Sequence, residues 1–150
     1  MRKHTLAALM LIMAFTMLCG SVSARKQPVP KLYMFGVAAS FTDTIVHFTS
    51  IQQIDSAWID TKSKFLQDRQ AYSYQLRDYL SQHEQMNHRT CMVFYAMKKE
   101  KLEKKYQKMV RLYTKAKDGK AHYDVRHLTP QQFKFYTVQS IIEEGEVPNE

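Results

Sequence analysis

Apolar positions change their period several times along the chain, and each change marks an element. LYMFGVAASF (residues 32–41) and TIVHFTSIQQI (44–54) are rich in β-branched and aromatic residues and are separated by Thr42 and Asp43. That pattern predicts a β-hairpin. In its second strand Ile45, His47, Thr49 and Ile51 share one face and Val46, Phe48 and Ser50 the other, because strand side chains alternate. Both faces are partly apolar, as a covered sheet requires. Trp58, Phe65, Tyr72 and Tyr79 then recur every seven residues with Leu66, Leu76 and Leu80 beside them. The spacing predicts a helix over 56–82 with Asp55 or Ser56 as its cap. QDRQ (67–70) interrupts the apolar stripe and Ser73 can cap a second start, so one long helix and two short ones both remain open.

TCMVFYAM (90–97) is apolar on both faces, the pattern of a central strand. The run 98–120, KKEKLEKKYQKMVRLYTKAKDGK, places Leu102, Tyr106, Met109, Val110 and Tyr113 at helical spacing and ends on Asp118-Gly119 as a stop. HYDVRHL (122–128) alternates as a strand, TPQQ (129–132) has the residues of a capping-box turn, and FKFYTV (133–138) reads as a last strand. The order β-β-α-β-α-β-β predicts an α+β domain. Its mixed sheet has four to five strands, with the two main helices packed on one face.

The ends read differently. MRKH, an apolar run of about 15 residues and SVSA, with Val22 at −3 and Ala24 at −1, make residues 1–24 a signal peptide, too short in its apolar part for a spanning helix of about 20 residues. Residues 25–31 read as an extended leader, 32–140 as the domain and 141–150 as an acidic, loosely ordered tail. The expected location is therefore exported: periplasmic, envelope-associated or secreted.

Composition sharpens this picture. The chain has 150 residues, with 22 Lys and Arg against 14 Asp and Glu, for a formal charge of +8. Removing the signal peptide takes Arg2 and Lys3 with it and leaves the protein basic. It also removes Cys19, one of the two cysteines, so no intrachain disulfide is available.

Candidate chemistry is sparse. Cys91 follows His88 by three residues, and His47 lies on a strand that can neighbour it, so a thiolate with a histidine base is one reading. The other is a buried cysteine acting as a small apolar side chain. His83 and His88 are five apart, as are His122 and His127, a spacing that places neither pair on one face, so no metal site is expected. No glycine-rich phosphate loop occurs and no cofactor is expected. Asp43, Asp55, Asp60, Asp68 and Glu84 supply carboxylates without a pattern that pairs them.

The strongest signal is cationic. Lys101, Lys104, Lys105, Lys108, Arg111 and Lys115 fall three or four apart, opposite the apolar side of their helix. Such a stripe draws anionic envelope lipid, glycan or other polyanions through long-range attraction that salt weakens, or else solvates the helix. A non-enzymatic binding module is the leading expectation, with a thiol-dependent enzyme or redox protein using Cys91 with His47 or His88, or a subunit whose aromatic strands pair with a partner, as rivals.

YMFGVAASFTDTIVHFTSIQQIDSAW, YSYQLRDYL and RTCMVF resemble segments of small exported hypothetical proteins of Bacteroidales. The resemblance implies a Gram-negative envelope or secreted location and carries no catalytic residue to this sequence.

Overall fold

The computed structural model describes residues 26–115 and 122–139. The expected signal peptide, the acidic tail and the Asp118-Gly119 stop lie outside them. The α+β class and the order of strands and helices are as the sequence predicts. Strands β1 (Lys26–Val29), β2 (Leu32–Ala39), β3 (Ile45–Thr49), β4 (Gln52–Ile54) and β5 (Ala57–Asp60) precede helix α1 (Arg69–His83). Strand β6 (Thr90–Ala96), helix α2 (Lys99–Thr114) and strand β7 (Asp124–Leu128) follow.

β2 lies inside a mixed five-stranded sheet, with β6 on one side and β3 and β4 in tandem on the other. β7 joins β3 in parallel. The β2 register slips by one residue between the β3 pairs (Val37 with Phe48) and the β4 pairs (Met34 with Gln52), which is a β-bulge at Thr49–Ile51. There the Gly36 amide donates to Thr49 Oγ1 at 2.8 Å in place of a ladder carbonyl. The extra residue turns Ile51 away from the side shared by His47 and Thr49 and toward the cluster around Phe35 and Phe48.

The helices lie on opposite faces of the sheet, where the sequence reading put both on one. Leu32, Met34, Ala38 and Val93 pack with Tyr72, Leu76 and Leu80 of α1. Phe35, Val37, Val46 and Phe48 pack with Leu102, Tyr106 and Tyr113 of α2. β2 is apolar on both faces, so each face needs its own cover. The same fact explains why β6 reads as central yet pairs only with β2 among the described residues. Apolar faces report helices on both sides of a strand, not ladder partners on both edges.

Other boundaries also shift. Helix 56–82 shortens to α1, because Ala57 and Ile59 are buried in alternation and β5 pairs antiparallel with β1. Asp55 and Ser56 form the β4–β5 turn, with Ser56 at φ 58°. Trp58 and the exposed Phe65 share the heptad spacing by coincidence, and the helical stripe is Tyr72, Leu76 and Leu80. The expected leader contributes β1, whose Val29 is buried. Gln132 Oε1 accepts from the Thr129 amide at 2.9 Å, as the capping-box pattern requires, although only a turn follows.

Residues 133–138 are extended but join no ladder. Gln52 receives the Phe135 amide and donates to the Phe133 carbonyl, both at 2.9 Å. Gln75 does the same for the amide and carbonyl of Tyr136, at 2.8 and 2.9 Å. Two side-chain amides thus stand in for a neighbouring strand.

Candidate binding surface

Cys91, Ala38, His47 and Arg126 are successive cross-strand partners along β6, β2, β3 and β7. Cys91 and His47 are therefore two strands apart, about 9–10 Å between backbones. The Cys91 thiol donates to the Arg89 carbonyl at 3.8 Å. Burial pushes the thiol up to about 11, against the lowering influence of Arg77 and Arg89. His47 is 1% exposed, and its Nδ1 has no hydrogen-bond partner among the described residues. Burial, then the positive charges of Arg89 and Arg126, hold its pKa below the usual histidine range. His88 sits exposed in a turn at φ 62°. The thiol is thus hydrogen-bonded to a carbonyl, one histidine is buried two strands away, and the other faces solvent.

Native Cys91 is expected to react with iodoacetamide at pH 7 about a hundredfold more slowly than in the unfolded chain, because a rise from 9.0 to about 11 removes two decades of thiolate. Labelling at similar rates before and after denaturation would show an activated thiol.

Arg89 ties this end of the sheet together. Its side chain is 2% exposed and donates from Nη1 to the Ile45 carbonyl at 2.6 Å and from Nη2 to Asp43 Oδ2 at 2.7 Å. The hydrogen bond from Arg89, then that from the Ile45 amide, holds the Asp43 carboxyl below the usual carboxylate range. Among the described residues no group of three or more His, Cys, Asp and Glu side chains is placed to hold a metal ion.

The cationic stripe stands on α2. Leu102 is buried, Tyr106 and Tyr113 set their edges against Phe48, and the Tyr106 hydroxyl lies 3.0 Å from His127 Nδ1. With the apolar side fixed on the sheet, helical geometry turns Lys101, Lys104, Lys105, Lys108, Arg111 and Lys115 outward, and all six are exposed. Lys105 Nζ lies 4.5 Å from the Phe94 ring centroid. Glu103 pairs with Lys99 at 3.6 Å, and none of the six stripe cations has a carboxylate partner among the described residues. Leu112 stands exposed within the stripe and lines a shallow hollow with Lys104, Lys108, Arg111 and Lys115.

Further cations escaped the sequence reading. Lys64, Arg69 and Lys98 meet Lys101 and Lys105 around a groove of about 560 Å³ beside β6, with Phe94, Tyr95 and Met97 in its wall. Arg69 comes from the polar QDRQ stretch, where only the fold shows that it faces a strand edge. Comparisons of the chain with protein-family models, characterised proteins and solved structures find no match.

Proposed function

We propose that the protein is a non-enzymatic binding module that holds polyanions on the exposed face of α2. The location that accompanies this reading is the cell envelope or the medium, as the signal-peptide pattern of residues 1–24 suggests. The observation that carries it is the set of six exposed cations, Lys101 to Lys115, without carboxylate partners among the described residues. Their charges are held in a row by a helix anchored on the sheet, so a linear polyanion meets several of them without reordering the backbone. The half-buried, hydrogen-bonded thiol of Cys91 favours this reading over a thiol enzyme.

The test is binding of the purified protein to heparin and to phosphatidylglycerol vesicles over a range of salt concentrations. The triple variant Lys104→Gln, Lys108→Gln, Arg111→Gln is expected to bind at least tenfold more weakly, with a salt slope lower by about 3. The two probes separate a glycan-like polymer from a lipid surface as the anion's source. Unchanged affinity and unchanged salt slope on both probes would overturn the reading.

A further inference from the structure

β6 is apolar on both faces but has one ladder partner among the described residues. Its outward backbone can be oriented from two hydrogen bonds. The Gly36 amide points to Thr49, away from β6, so Gly36 and its cross-strand partner Val93 form a pair without mutual hydrogen bonds. Val93 therefore turns its own amide and carbonyl to the open edge. Arg69 confirms the direction: its Nε and Nη2 donate to the Val93 carbonyl at 3.2 and 2.9 Å. Alternation gives Cys91 and Tyr95 the same outward orientation.

Two grooves run along this edge and share Arg69 and Val93. One, of about 700 Å³, borders Arg89–Val93 and contains Arg69 and Arg77, the latter paired with Asp78 at 2.9 Å, together with Asp68, while the Arg89 guanidinium is turned away to Asp43. The other, of about 560 Å³, borders Val93–Lys98 and contains Lys64, Lys101 and Lys105. Three outward amides thus lie in a cationic trough.

We propose that the β6 edge is a strand-addition site for an acidic, extended polypeptide segment. Backbone pairing supplies the ladder, and carboxylates on the entering strand meet the cations of both grooves. A second copy of the chain fits poorly, because pairing β6 with β6 sets each cationic trough against the other. Arg69 serves as an edge cap in the unoccupied protein, occupying the Val93 carbonyl that would otherwise invite indiscriminate pairing. When a strand enters, its guanidinium takes a carboxylate instead. This site uses the edge of β6 and shares Lys101 and Lys105 with the α2 stripe, but not Lys104, Lys108 or Arg111, so it can be tested apart from the polyanion reading.

The test uses a fluorescein-labelled nonapeptide of alternating glutamate and valine, followed by anisotropy with the purified protein. The same peptide N-methylated at alternate residues keeps every charge but loses one hydrogen-bonding edge. It is expected to bind at least tenfold more weakly. Cys91→Pro removes an outward amide that β2 does not use and is expected to weaken the unmethylated peptide similarly, while Cys91→Ser binds as before. Equal affinity for the two peptides, or no saturable binding, would overturn the proposal. So would concentration-dependent dimerisation that blocks the peptide. If Cys91→Pro does not fold, the peptide pair still decides on the unaltered protein. The Lys104, Lys108, Arg111 triple variant retains peptide binding if the two sites are distinct, so either reading can fail alone.

Discussion

Phe35→Ala is expected to lower the free energy of unfolding by about 4 kcal/mol, read from the midpoint of a urea or guanidinium transition. Phe35 is fully buried on the α2 side of β2. Its ring stacks on Phe94 at 5.2 Å between centroids and meets Tyr106 edge-on at 5.0 Å. Truncation removes the buried ring, leaves a void that neighbouring β-sheet backbone cannot close, and deletes two aromatic pairs worth about 0.5–1.5 kcal/mol each. Phe35→Leu refills part of that volume and is expected to recover about half of the loss. A cost near 1 kcal/mol for Phe35→Ala would mean that α2 is not held on the sheet by this cluster.

The adjacent position is expected to fail in the opposite way. Gly36 points to the α1 side, where an added Cβ would stand 2.7 Å from Leu76 Cδ2 and 3.1 Å from Phe135 Cζ. Gly36→Val therefore overfills the contact and is expected to cost about 2–3 kcal/mol in the same assay. Leu76 is itself buried, so Leu76→Ala alone costs about 2–5 kcal/mol by leaving a cavity. Combined with Gly36→Val, the two costs are expected to fall short of their sum by at least about 1 kcal/mol, because the added methyls occupy the vacated space. Additive costs would show that Leu76 is not what excludes a side chain at residue 36. Neighbouring residues of one strand would thus report on two different helices, one through a void and the other through a clash.

The parts of the fold legible in the sequence are those whose hydrophobic period is local. The hairpin of β2 and β3, the apolar side of α2 and the alternation of β7 all follow from residues a few positions apart. What escaped is set by distant partners. Ala57–Asp60 reads as part of a helical stripe because Trp58 and Phe65 fall by chance at heptad spacing, while its ladder partner lies about thirty residues earlier in β1. FKFYTV has a strand's composition, but its backbone bonds go to Gln52 and Gln75, and nothing in a run of six residues announces that.

The candidate surfaces divide along the same line. The stripe from Lys101 to Lys115 is visible as a helical repeat. Lys64, Arg69 and Arg77 come from other segments, and their meeting along β6 depends on which edge of the sheet is left open. The apolar run TCMVFYAM gave the faces of β6 correctly. It could not give its edges, since backbone amides carry no side-chain signature.

The glutamine-held segment 133–138 has a consequence for the order of assembly. Gln52 comes from the sheet and Gln75 from α1, while the Tyr72 hydroxyl accepts the Val138 amide at 3.1 Å and the Thr137 hydroxyl donates to the Asp55 carbonyl at 2.9 Å. Every one of these bonds joins residues more than sixty positions apart, so each waits on a distant partner: the sheet for the Gln52 and Asp55 bonds, α1 for the Gln75 and Tyr72 bonds. The segment behaves as a latch rather than a beam. Its opening would leave the β2–β6 ladder intact, so the amides of Phe135 and Tyr136 are expected to exchange with solvent faster than those of β2 in a hydrogen-exchange measurement.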